Sequence, residues 1–179
     1  MLEPEDNPFL RAFYEERRGA AFSTQVWFLL ARHRQLRDLR QGHLFKQRVV
    51  ADYLFEKDRV FAHLTLDDAE LDTYERLYAV LAPEVVRPDL VVYLRAGVRV
   101  LRERIGRRGR PVERRIAGPY LEEVVRAYDE FFFRWDQGPL LVVDTDRFDP
   151  IHDDRHFEDL VQRIDAMDRG GVEYYVPLA

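Results

Sequence analysis

Leu140-Leu141-Val142-Val143-Asp144 is a short apolar run set between the breaker pair Gly138-Pro139 and a polar loop. A continuous apolar run of that length reads as a strand buried on both faces. Leu90-Val91-Val92-Tyr93-Leu94 has the same character and follows Pro83 and Pro88. Between the two lie helical patterns. Val98 to Gly106 runs into a group of arginines, and Pro119 opens a helix that reaches about Trp135. Buried strands separated by helices predict an α/β fold with a parallel sheet flanked by helices.

Toward the N-terminus, Pro8 to Glu16 reads as a short helix and Phe22 to Arg40 as a longer one that Gly42 breaks. Val49-Val50-Ala51, inside Arg48 to Tyr53, suits a further buried strand, and Phe55 to His63 a helix. Thr65 is the expected N-cap of the next helix, with Asp67 and Asp68 in its first turn and Leu71, Tyr74, Leu77, Tyr78 and Leu81 at helical spacing. Toward the C-terminus, Asp153 to Met167 reads as a helix and Val172 to Val176 as a last strand. There is no internal repeat, low-complexity run or linker, so residues 1–179 read as one domain.

Composition narrows the function. Hydrophobic residues at 46% and charged residues at 34% place the 179-residue chain among globular proteins, and no apolar run reaches the roughly 18 residues that span a bilayer. The acidic N-terminus lacks a charged-then-apolar leader, and there is no cysteine for disulfides or thiolate metal sites. Both point to the cytoplasm. A net charge of -5 argues against general nucleic-acid binding. Yet Arg99, Arg102, Arg104, Arg107, Arg108, Arg110, Arg114 and Arg115 crowd one stretch. Local positive charge in an acidic protein suits a small anion.

Ligands of parallel sheets bind beyond the carboxyl ends of the strands, which singles out Asp52, Arg95 and Asp144. Caps or surface charges would account for them equally. The arginine stretch Arg104-Ile-Gly-Arg-Arg108-Gly-Arg110-Pro-Val-Glu113 offers planar forks for phosphate oxygens and glycines for a closing lid. A solvated basic helix end has the same pattern. Glu3, in Glu3-Pro4-Glu5-Asp6, is either a carboxylate placed to take a proton from a hydroxyl or a surface charge. Gln25 offers a donor and an acceptor to a base edge, and Arg32 lies two helical turns on, on the same face. A buried amide and a surface arginine are the plain alternative. His152 and His156 stand at i, i+4 without an HExxH pattern or a third ligand, and read as structural. Phe131-Phe132-Phe133 with Trp135 suits a core or a subunit interface.

Taken in order, these segments resemble the deoxynucleoside kinase family, especially its bacterial deoxyadenosine/deoxyguanosine kinase-like members. Glu3-Pro4 and Tyr14, then Thr24-Gln25-Val-Trp-Phe-Leu-Leu-Ala-Arg32, then Arg104, Arg108, Arg110 and Glu113 carry the resemblance over nearly the whole chain. It implies a three-layer P-loop kinase-like fold, with transfer of the ATP γ-phosphoryl to the 5′-hydroxyl of a deoxynucleoside, in nucleotide salvage. It also implies ATP and magnesium as cofactors, and a homodimer in the cytoplasm that binds neither nucleic acid nor membrane.

By the same resemblance Glu3 is the base on the 5′-hydroxyl, and Tyr14 and Glu113 hold the sugar 3′-hydroxyl. Gln25 pairs with the base, with Arg32 and Phe61 beside it, and Asp52 keeps the acidic place of the strand-end motif. Arg104, Arg108 and Arg110 take the donor phosphates. The segment after Asp144 borders the donor adenine. A non-catalytic nucleoside-binding relative and a nucleoside monophosphate kinase are alternative readings.

The chain departs from the family pattern twice. At the strand end, Val50-Ala51-Asp52-Tyr53 has no arginine, and Lys57, Asp58 and Arg59 are the nearby candidates for its role. The family's phosphate-binding loop, GxxxxGK[ST], is absent. Lys46 and Lys57 are the only lysines, and neither follows a glycine. The loop's strand is central in the family's sheet, so the expectation is that an N-terminal segment is missing from this sequence and that the chain as written lacks catalysis.

Overall fold

The computed structural model describes residues 6–15, 17–42, 49–110, 113, 116–167 and 170–177. They fall into two compact units, residues 1–87 with 115–127 and residues 88–114 with 128–179.

The second unit holds the sheet. Leu140–Asp144 forms β2, at the centre, because its side chains are apolar on both faces: Leu140, Leu141 and Val143 have no exposed surface. Each such side chain stabilises by about 1.5–3 kcal/mol. On one edge lies β1, Val91–Arg95, and on the other β3, Val172–Tyr175, both parallel to β2. The register aligns Leu94 with Val143 and Arg95 with Asp144, so the two strands end together on charged residues.

α5 (Val98–Arg108) follows β1, and α7 (Asp154–Ala166) follows β2. Leu160 and Ile164 of α7 cover one face of the sheet, against Leu141, Val143 and Phe148. On the other face Tyr93 stacks on Phe132, with ring centroids 4.2 Å apart, so Phe132 is core while its neighbour Phe133 is 81% exposed. Among the described residues β3 is an edge strand, and Val172, Tyr174 and the following Val176 are exposed.

The first unit is helical. It comprises α1 (Leu10–Tyr14), α2 (Ala20–Gly42), α3 (Asp58–Thr65), α4 (Asp68–Leu81) and the start of α6 (Gly118–Phe133), which continues into the second unit. Its core is Leu29, Leu36, Phe55, Ala62 and Tyr74. Buried Asn7 ties α1 to α2 by donating from Nδ2 to the Thr24 carbonyl over 3.2 Å. None of the described helices is long and apolar enough to cross a membrane.

Two sequence expectations are corrected. Residues 49–54 form no strand: Val49 to Asp52 are exposed, Val50 at 98%, and a strand needs a ladder partner, which these residues lack among those described. Arg48 lies outside the described residues. Thr65 ends α3 instead of capping α4. The cap is Asp67, whose carboxylate accepts from the amides of Ala69 and Glu70, while Glu70 reaches back to the Asp67 amide. That reciprocal box satisfies more orphan donors than a single threonine hydroxyl could.

Candidate active site

In the helical unit, α2 presents Gln25, Phe28 and Arg32 one turn apart in succession. The Arg32 guanidinium lies 3.8 Å from the Tyr53 ring centroid and 4.6 Å from that of Phe28. Its Nη1 donates to the Tyr53 hydroxyl at 2.8 Å and to Asp58 Oδ1. Asp58 has no exposed surface, and it also accepts from Tyr53 at 2.8 Å and from Tyr74 at 3.2 Å. Burial pushes its carboxyl above the ordinary value, and Arg32 and the two hydroxyls pull the other way. Burial and the Asp58 charge push the Tyr53 phenol well up.

The sequence offers Asp58 only as one of three residues near the missing strand-end arginine, not as the buried partner of Arg32. At the first position of α3 an aspartate looks like ordinary compensation of the helix dipole. The available signal was its spacing to Val60 and Ala62, the other buried positions of that helix.

The three candidates for the missing strand-end arginine now separate. Asp58 is held by Arg32, and Arg59 donates to Glu75 at 2.9 Å. The Lys57 ammonium makes no ion pair or hydrogen bond with the other described residues and sits 5.2 Å from the Tyr53 ring centroid. Its pKa is lowered by burial and by Arg32, against the opposing pull of Asp52 and Asp58. Asp52 itself is exposed.

Gln25 is 4% exposed, and its Nε2 donates to the Thr65 hydroxyl at 3.2 Å. Thr65 in turn donates to the Phe61 carbonyl at 2.7 Å, so Gln25 and Phe61 are linked through one hydroxyl. Tyr14, on α1, lies edge-on to Phe13 and close enough to Tyr120 of α6 to act on its ionisation. Glu3 lies outside the described residues.

In the sheet unit, Arg104 is spent on the loop after β2. It donates to Thr145 Oγ1 at 2.8 Å, to the Thr145 carbonyl at 2.7 Å and to the Phe148 carbonyl at 3.4 Å. Thr145 Oγ1 donates to the Arg95 carbonyl at 2.8 Å, which joins the ends of β1 and β2. Arg95 makes a two-point contact with Asp129, 2.9 Å on each arm, and reaches Asp144 at 3.4 Å. The charges that end β1 and β2 therefore serve the framework.

α5 ends at Arg108. Gly109 stands at φ +69, a left-handed conformation that glycine adopts without a side-chain clash, and so turns the chain between Arg108 and Arg110. Arg108 grips Glu113 with two bonds, 3.1 and 2.7 Å, and Arg110 Nη1 lies 4.0 Å from the same carboxylate. His152 bonds to the Asp149 carboxylate, and His156 Nδ1 accepts from the Asp149 amide.

A parallel sheet with guanidinium groups beyond its strand ends, together with a helical unit that offers a buried amide and an Arg–Asp pair, is the equipment of an α/β nucleotide-handling phosphotransferase. Residues 2–167 match the family model described as deoxynucleoside kinase, and the chain belongs to that family. Deoxyguanosine kinase of Bacillus subtilis strain 168 is 32% identical to it over 165 residues, 89% of this chain and 80% of that one. Deoxyadenosine/deoxycytidine kinase of the same strain is 25% identical over 173 residues, 92% of this chain and 78% of that one. A structure of deoxyadenosine kinase from M. mycoides with the products dCMP and a flexible dCDP bound superposes with a TM-score of 0.79 at 25% identity, covering 93% of this chain and 84% of that one.

Proposed function

We propose that the protein is a salvage kinase for deoxynucleosides, moving the γ-phosphoryl of ATP to the 5′-hydroxyl, with this sequence supplying the nucleoside site but not the GxxxxGK[ST] phosphate-binding loop that the transfer needs. The observation that carries the reading is the α2 face, where Gln25 offers an amide edge and Arg32, fixed by Asp58, borders it with Phe28. A buried amide one helical turn from a phenyl ring on the same helix suits a heteroaromatic base, which needs an aromatic neighbour and a donor–acceptor pair. Phe61, Tyr14 and Asp52 complete the proposed nucleoside contacts. Lys57 takes the cationic role left open at the strand end.

For the donor, phosphoryl transfer needs positive charge near the equatorial oxygens, and Arg108 and Arg110 supply it from the turn at Gly109. Arg104 holds the loop that follows β2. Donor phosphate competes with Glu113 for Arg108, and Glu113 is the carboxylate assigned to the sugar 3′-hydroxyl. Among the described residues no three His, Asp or Glu side chains gather into a metal site; magnesium would be held chiefly by the oxygens of the ATP phosphates and by water. The family match runs through both compact units, which supports one kinase domain over residues 1–179; a cytoplasmic homodimer is what the resemblance implies.

The test is calorimetric titration with the four common deoxynucleosides, followed by chromatography for the 5′-monophosphate after incubation with ATP and magnesium. Saturable binding that Gln25→Ala weakens supports the reading. Absence of binding to all four sinks it.

A further inference from the structure

We infer that Thr65 is the residue that fixes which edge of the base Gln25 accepts, and so sets the choice between 6-amino and 6-oxo purine deoxynucleosides; this rests on the proposed nucleoside site. A hydroxyl has one proton. Thr65 sends it to the Phe61 carbonyl, 2.7 Å away and one turn back in the same helix. The hydroxyl can therefore only accept from Gln25, which obliges the amide to turn its nitrogen, not its oxygen, toward α3.

A helical Thr that returns its proton to the carbonyl four residues earlier holds that bond without any ligand. The amide orientation is thus built in before a base arrives. Gln25 is buried, and its carbonyl oxygen and second amide hydrogen make no hydrogen bond among the described residues, so they are the groups left for a base.

The consequence for selectivity is geometric. A base with an exocyclic amino group beside a bare ring nitrogen gives a donor and then an acceptor. A 6-oxo purine gives an acceptor and then a ring N–H donor. An amide free to flip serves both from one place. An amide pinned by Thr65 serves one, and the other must bind with acceptor facing acceptor, the mismatch by which polar sites reject analogues. Thr65 acts on the base only through Gln25; it is a positioning residue. It also does not cap α4, whose box is Asp67 with Glu70, so changing it leaves that helix start intact.

The experiment measures dissociation constants of deoxyadenosine and deoxyguanosine by calorimetry for the wild-type chain, Thr65→Val and Thr65→Ser. Valine keeps the shape and removes the hydroxyl; serine keeps the hydroxyl. The wild type is expected to separate the two ligands by about tenfold or more, valine to bring the ratio to within about threefold of unity, and serine to restore it. Thr65→Ala replaces the valine variant if circular dichroism shows that the latter is unfolded.

A wild-type ratio near one, a ratio that valine leaves unchanged, or a collapse that serine shares would overturn the inference while the nucleoside site stands. No binding of either ligand by the wild type overturns both.

Discussion

Asp58 is a carboxylate without exposed surface whose charge is answered by one guanidinium and two phenols. Removing the guanidinium leaves a buried charge unpaired, the costly direction of change for such a pair. Arg32→Met is expected to lower stability to urea by about 3 kcal/mol, and Arg32→Met with Asp58→Asn to recover much of it. Additive losses would show that the two residues act independently.

Tyr120 gives a second prediction at this scale. Burial, then the nearby Tyr14 and Glu123, push its phenol from 10.0 up to about 12. A phenol whose folded value exceeds its unfolded one contributes stability that is complete below pH 10 and lost as pH rises toward 12. Urea midpoints should therefore fall more steeply across that window for the wild type than for Tyr120→Phe. Parallel curves would show an ordinary tyrosine.

At the scale of elements, the start of α4 is the clearest case of local chemistry making a boundary. Asp67→Ala removes the acceptor of two amides and is expected to cost about 1 kcal/mol in thermal or urea unfolding, whereas Thr65→Ala should leave the helix start unchanged.

Asp67 was legible as a helix-start residue, but Thr65 and Asp67 both stand where a cap could, and spacing alone does not choose. Strands β1 and β2 were legible to within a residue because a run apolar on both faces has one stable home. Val49-Val50-Ala51 had the same composition and formed no strand, because pairing is not written in the run itself. The arginine turn and the α2 face were visible as residue types. Their partners were not: Arg104 with Thr145 and Arg32 with Asp58 are contacts between elements distant in sequence, and periodicity carries no record of them.

At the scale of the molecule, a net charge of -5 coexists with a dense arginine segment from Arg99 to Arg110. Attraction of a polyphosphate to that segment is screened by salt, whereas an uncharged nucleoside is held by short-range contacts. ATP affinity is expected to fall by about tenfold between roughly 0.05 and 0.5 M salt, and deoxynucleoside affinity to change less than about twofold. Equal salt dependence would place the anion contacts elsewhere.

The β3 border has a consequence for the protein in bulk. A strand at the edge of the sheet among the described residues, showing Val172 and Tyr174 outward with no lysine and no proline within it, has little to discourage another strand from pairing with it. What keeps molecules apart is then their shared negative charge, which vanishes at a pI near 5.6. Solutions brought slowly to that acidity should scatter light, reversibly at first and then as fibrous deposit, and Tyr174→Lys should keep them clear. The colloidal fate of this enzyme would thus be decided by a short ribbon of backbone far from its chemistry in sequence.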